Sequence, residues 1–135
     1  MRVLICAYRT WAKDIYHRLS AVHGKNIEFI LLSDKESVEQ SVLEYRPKYV
    51  FFLGWSWIIP EPIVVNNFCI CLHPSPLPKY QGGSPIQNQI INNERESAVT
   101  LFKMDKGVDT GDVLYQEKIS LEGSLRNIFL GITEA

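Results

Sequence analysis

Three groups of residues in this chain have types and spacings that could do chemistry. Cys69, Cys71 and His73 stand at alternate positions of one apolar run, and the period of two in a strand puts their side chains on one face. Two thiols and an imidazole are zinc-type ligands, yet no C-x-x-C or H-x-x-x-H companion accompanies them, and buried cysteine commonly serves as a small hydrophobe. No metal is expected. His73 differs from His17 and His23, which lie in or beside an amphipathic helix, because it sits where a strand hands over to a proline-rich loop. The second group is Asp105, Asp109 and Asp112 with Gly107 and Gly111. Their spacing does not match a calcium loop. They read either as a solvated turn or as the source of a carboxylate that orients His73 for proton transfer near neutral pH. The third group is Trp55 and Trp57, large aromatics that either wall a flat heterocycle or pack into the core.

The elements that must position these groups alternate along the chain. Compact apolar runs predict strands over 3–6, 27–32, 49–53 and 68–72. Between the first two lies a helix capped by Thr10, with Trp11, Ile15, Leu19 and Val22 on its apolar face and Gly24 as a left-handed cap. A capping box of Ser33 and Glu36 opens the next helix, which carries Val38, Val42 and Tyr45 and stops at Pro47. A short helix covers 63–67. Alternation of this kind implies an α/β fold with parallel strands and helices on both faces. Ligands in such folds bind beyond the carboxyl ends of the strands. The first such turn, 7–10, has no glycine, so a nicotinamide or flavin site has no support. Pro74, Pro76 and Pro78 read as a stiff extended segment. Ser84, Pro85 and Gln87 then predict a capped helix start, with free N–H groups able to meet an anion. Strands over 97–104 and 111–120 follow, and Ser124 caps a last helix with Leu125, Ile128, Phe129 and Ile132 on its apolar face.

The size of the chain, 135 residues, indicates one domain, 1–135. Hydrophobic residues at 46% and charged residues at 21% exclude a disordered chain. The net charge of −1 disfavours nucleic acid as principal partner. The longest apolar stretch, 49–60, is broken by Gly54 and Ser56 and falls short of the roughly twenty residues of a spanning helix, so no membrane is expected. The N-terminal apolar run is too short for a signal peptide, and three cysteines form no disulfide framework. Both point to the cytoplasm.

The segment Cys71-Leu72-His73-Pro74-Ser75-Pro76-Leu77-Pro78-Lys79-Tyr80-Gln81-Gly82-Gly83-Ser84-Pro85-Ile86-Gln87 resembles the signature of formyltransferases that use 10-formyltetrahydrofolate. The run from Val99 to Asp112 resembles that family's folate-binding loop. The resemblance covers roughly 49–135, whereas the preceding residues agree only as a generic α/β pattern. It implies a Rossmann-like three-layer α/β/α fold and transfer of a formyl group from 10-formyltetrahydrofolate, the co-substrate, to an amine. The family's catalytic set is an Asn, a His and an Asp; His73 and Asp109 match the last two, and Cys71 stands at the Asn position. A thiol is a weaker donor than an amide, so Ser75 or Asn88 is expected to substitute, or activity to be reduced or lost. The resemblance further implies a pterin near Trp55, Trp57 and Ile58 and the loop residues Met104, Asp105, Gly107, Val108 and Asp112. The acceptor would lie near Ser75, Gly82, Gly83 and Ser84. Gly83 to Gln87 look closer to the initiator-tRNA and amino-sugar branches, and the near-neutral charge favours a nucleotide-linked amino sugar, a small-molecule partner. The chain is short for the family and is expected to be a catalytic core or reduced variant, with a homodimer left open. The alternatives are a non-catalytic folate-binding module, a methionyl-tRNA formyltransferase-like enzyme and a formyl-folate hydrolase.

Overall fold

Short apolar runs separated by turn signals become strands, and the computed structural model, which describes residues 1–22, 26–107 and 109–135, sets them in the expected order. The elements are β1 (Arg2–Cys6), α1 (Thr10–Val22), β2 (Glu28–Leu32), α2 (Val38–Tyr45), β3 (Tyr49–Leu53), α3 (Glu61–Asn66), β4 (Cys69–His73), α4 (Pro85–Ile91), β5 (Glu96–Lys103), β6 (Val113–Ser120) and α5 (Leu125–Glu134). They form a six-stranded sheet of order β2-β1-β3-β4-β5-β6. The first four strands run parallel, and β5 pairs antiparallel with β4 and β6.

Alternating residues divide the core into two layers. Val3, Ile5, Leu53, Leu72, Val99 and Ile119 face Ala12 of α1 and Ile128 and Ile132 of α5. Leu4, Cys6, Val50, Phe52 and Cys69 face Val38 and Val42 of α2 and Ile63 of α3. This is a three-layer α/β/α, Rossmann-like fold. Each fully buried aliphatic side chain contributes about 1.5–3 kcal/mol of burial free energy. After β1 the chain steps to one side for β2 and then crosses to β3 on the other. The winding therefore reverses between β1 and β3, and a crevice opens at their carboxyl ends. Among the described residues no helix is long and apolar enough to cross a membrane.

Several local expectations are corrected. The apolar run over 27–32 predicts a buried strand, but β2 is an edge strand and its side chains are only half covered. Val22 and Leu125 belong to the predicted apolar faces of α1 and α5, yet both are exposed, Val22 as the last residue of α1 and Leu125 as the first of α5. Ser33 does not cap: its hydroxyl donates to the Ala7 carbonyl at 2.8 Å, and Asp34 accepts the Glu36 N–H at 3.1 Å instead. Ser84 precedes α4 as expected but takes a left-handed conformation without a side-chain cap hydrogen bond, so the capping box with Gln87 does not form. The segment after β4 is not extended. Its N–H groups fold back in successive turns, Ser75 onto His73, Leu77 onto Ser75 and Lys79 onto Pro76. The three prolines alternate with residues that still donate, and this permits the turns. The cap expected at Gly24 lies outside the described residues.

Candidate active site

β4 delivers His73 as its last residue, and the burial of the strand carries over to the ring, which is 6% exposed. Its neighbour on the same face, Cys71, is half-buried and stands opposite Phe52 of β3 and Phe102 of β5. Cys69 on that face points into the α2–α3 layer, so the three residues share a side as the period required but only two reach the crevice.

The loop between β5 and β6 brings the acid. Asp109 Oδ2 lies 3.4 Å from His73 Nδ1 and accepts the Gly82 N–H at 2.7 Å. Asp109 holds a left-handed backbone, φ 55°, which a short polar side chain tolerates. The loop is shaped by Asp105, whose carboxylate accepts the Thr110 hydroxyl at 2.7 Å and the Gly107 N–H at 2.8 Å; these bonds hold its carboxyl below the usual range. Gly111 permits a close approach, since a Cβ there would stand 1.6 Å from the Lys103 carbonyl oxygen. Burial pushes the Cys71 thiol up to about 12, and the Asp109 charge adds to the rise. At neutral pH Cys71 is therefore an uncharged thiol. Burial likewise pushes Cys69 up to about 11 and raises Cys6 further, with Cys69 contributing. Among the described residues no group of three His, Cys, Asp or Glu could hold a metal.

His73, Cys71 and Asp109 open on a cavity of about 580 Å³ that runs along the crevice. Trp55, Trp57, Ile58, Met104, Asp105 and Gly107 line it, as do Gly82, Gly83 and Ser84. Trp55 is partly buried against Phe52 and the α2–α3 layer, while Trp57 is more open and meets it edge-on at 4.9 Å. The tryptophans thus combine the two readings, with one anchored and one walling the cavity. The expected site residues that do not join them are Asp112, Ser75 and Asn88. Asp112 lines a separate depression of about 530 Å³ on the α3 side of the loop. Ser75 is fully buried; its hydroxyl donates to the Lys79 carbonyl at 2.7 Å and its carbonyl accepts the Thr100 hydroxyl at 2.6 Å. It ties down the loop and does not line the cavity. Asn88 donates to the Gly83 carbonyl at 3.3 Å, away from the cavity. Val108 lies outside the described residues.

Sequence reasoning missed Arg9 and Trp11, which line the cavity, and Tyr8, which packs on the lining residue Trp57. Tyr8 follows β1, and its ring packs 4.6 Å from Trp57 while its hydroxyl meets Ser56 at 2.5 Å. Arg9 stands beside it. The rule about strand ends had already pointed at this turn. Trp11 stacks on Phe129 at 5.9 Å and fills the space a side chain at Gly54 would need, with an added Cβ 2.6 Å from its ring. Its indole Nε1 is buried without a hydrogen-bond partner among the described residues.

A sheet whose winding reverses at a crevice, with a His and an Asp facing each other there beneath aromatic walls, defines a Rossmann-type α/β fold with a candidate proton-transfer pair at its ligand-binding end. Residues 12–124 match the sequence model of the formyl transferase family, and the chain belongs to that family. The match begins in α1, earlier than the motifs alone indicated. A methionyl-tRNA formyltransferase from Campylobacter curvus is 36% identical over 109 residues, covering 81% of this chain and 36% of that protein. The chain spans about a third of the length of the curated relatives it matches. The methionyl-tRNA formyltransferase from Clostridium thermocellum superposes with a TM-score of 0.92 at 28% identity, over 99% of this chain and 60% of the other. The formyltransferase PseJ from Anoxybacillus kamchatkensis, solved with UDP-4,6-dideoxy-4-formamido-L-AltNAc and tetrahydrofolate, shares the fold. Its TM-score is 0.73 at 23% identity, over 99% of this chain and 69% of that one.

Proposed function

We propose that this chain transfers a formyl group from 10-formyltetrahydrofolate to a primary amine. The observation that carries the reading is the contact between His73 and Asp109 at the mouth of an aromatic-walled cavity. In this reading the pterin lies between the tryptophan wall and the 104–109 loop, and the acceptor approaches past Gly82, Gly83 and Ser84. The amine attacks the formyl carbon, and the tetrahedral intermediate collapses to a formamide with release of tetrahydrofolate. His73 moves the proton and opposes the developing oxyanion charge, while Asp109 fixes the imidazole and assists proton removal. Cys71, an uncharged thiol, supplies only a weak donor in the same place. The three cysteines are unpaired thiols, which suits a reaction in the cytoplasm.

For the acceptor we infer a nucleotide-linked amino sugar, because a chain of net charge −1 offers little general attraction to a nucleic acid. A second reading, the α-amine of methionyl-tRNA, is favoured by the 36% identity to a methionyl-tRNA formyltransferase. The protein is incubated with 10-formyltetrahydrofolate and either a dTDP-4-amino sugar or methionyl-tRNA, and tetrahydrofolate release is followed. Release that depends on the sugar supports the first reading, and release that depends on the tRNA replaces it with the second. Release without any acceptor makes the protein a hydrolase. Folate binding without turnover makes it a binding module.

A further inference from the structure

His73 is held on one side by the loop that follows it and faced on the other by an acid that the same loop fixes. Its Nε2 lies 2.8 Å from the Tyr80 carbonyl oxygen, an atom that can only accept, so that nitrogen carries a proton. Its Nδ1 faces Asp109 Oδ2 at 3.4 Å, and the same oxygen takes the Gly82 N–H at 2.7 Å. Between these two residues, Gln81 donates its side-chain amide to the Asp109 carbonyl at 3.2 Å. Three consecutive residues therefore hold both members of the pair.

The aim of the Tyr80 carbonyl depends on a left-handed backbone, φ 58°, that a bulky residue rarely adopts. The ring is anchored to compensate. Its hydroxyl donates to Glu94 Oε1 at 3.2 Å and accepts from the Asn92 side-chain amide at 3.2 Å, both just beyond the end of α4.

We propose that Tyr80 is a positioning residue that fixes which nitrogen of His73 works: Nε2 stays protonated on the Tyr80 carbonyl, and Nδ1, facing Asp109, exchanges the proton during transfer. The inference deepens the formyl-transfer reading and rests on it. As the amine nitrogen bonds to the formyl carbon, the carbonyl π pair moves onto oxygen and a proton passes from the amine to Nδ1. The carbon–N10 bond then breaks with its electron pair on N10, the carbonyl re-forms, and N10 receives that proton. One proton leaves the amine and one arrives at N10, so the pair returns to its starting state. The titratable groups on this side of the ring are the Asp109 carboxylate and, next on the same strand face, the uncharged Cys71 thiol.

The test is a pH titration of the full chain labelled with ¹⁵N-histidine, with His73 assigned by comparison with His73→Asn. Nε2 should keep the shift of a protonated nitrogen throughout while Nδ1 gains its proton as the pH falls. Titration at Nε2 with Nδ1 protonated throughout would overturn the proposal. Kinetics give a second readout. Glycine adopts positive φ freely, so Tyr80→Gly should lose severalfold less kcat than the β-branched Tyr80→Val, which should lower kcat about 10²-fold with KM within about twofold. Equal losses in the two variants would show that the ring and not the carbonyl matters, and would also overturn it. If the wild-type chain transfers no formyl group to either amine, the functional reading fails, while the nitrogen shifts still decide the protonation site.

Discussion

Replacing Cys71 by asparagine tests what the thiol costs. Cys71 lies between Phe52 and Phe102 on the sheet, shares a face with His73 and opens on the cavity. Its hydrogen donates weakly to the Leu72 carbonyl at 3.6 Å, and desolvation keeps it protonated up to about pH 12, so it brings neither charge nor a strong donor to a developing oxyanion. One well-placed oxyanion donor is worth about 10²–10³ in kcat. The amide of Cys71→Asn should recover part of that, raising kcat about tenfold or more. The opposing term is burial of the amide, roughly 1–3 kcal/mol of stability if it finds no partner in the ground state. Steady-state formyl transfer with saturating 10-formyltetrahydrofolate reads the first effect, and thermal unfolding reads the second. A fall in kcat of tenfold or more in a variant that folds and binds folate normally would refute the reasoning, because it would give the thiol a role that a weak donor cannot fill.

Other expectations follow from the same contacts. Trp57→Ala should raise KM for the folate about tenfold with kcat nearly unchanged, since the ring walls the cavity without touching His73; steady-state kinetics check it. Gln89→Leu should cost about 1–3 kcal/mol in denaturant unfolding, because the buried amide donates to the Pro74 and Pro85 carbonyls at 2.9 Å each and accepts the Ser97 hydroxyl. Gly54→Ala should destabilise by about 1–3 kcal/mol in the same assay, as its Cβ would meet Trp11 at 2.6 Å on a backbone with φ +62°. Alkaline stability should fall because Cys71 titrates from 9.0 unfolded to about 12 folded. Its contribution is complete below about pH 9 and is lost as the pH rises towards 12. Circular dichroism of Cys71→Ala should show a shallower loss over that window than the wild-type chain shows.

Signals confined to a few neighbouring residues were legible in the sequence. Tyr49–Leu53 forms the strand its apolar run predicts, and Ser124 caps α5 by accepting the Asn127 N–H at 3.2 Å. The place of His73 at the end of β4 was legible too, because strand periodicity and the first proline both mark it. Features set by partners distant in the chain were not. The Ser75 hydroxyl turns onto the Lys79 carbonyl rather than into the cavity, and nothing local distinguishes a serine that faces a cavity from one that closes a loop. The left-handed backbones of Tyr80 and Ser84 carry no glycine or asparagine to announce them. Val22 and Leu125 fit the helical period but stand exposed at helix ends, and periodicity alone does not say where the packing against a neighbouring layer stops.

The account stands or falls on the proton-transfer role of the pair formed by His73 and Asp109. Single-turnover formyl transfer from 10-formyltetrahydrofolate, measured beside folate binding for the wild-type chain and Asp109→Asn, tests it most directly. The account predicts folate affinity within a few-fold and transfer slowed about 10²-fold or more in the variant. Transfer at the wild-type rate by Asp109→Asn would contradict it.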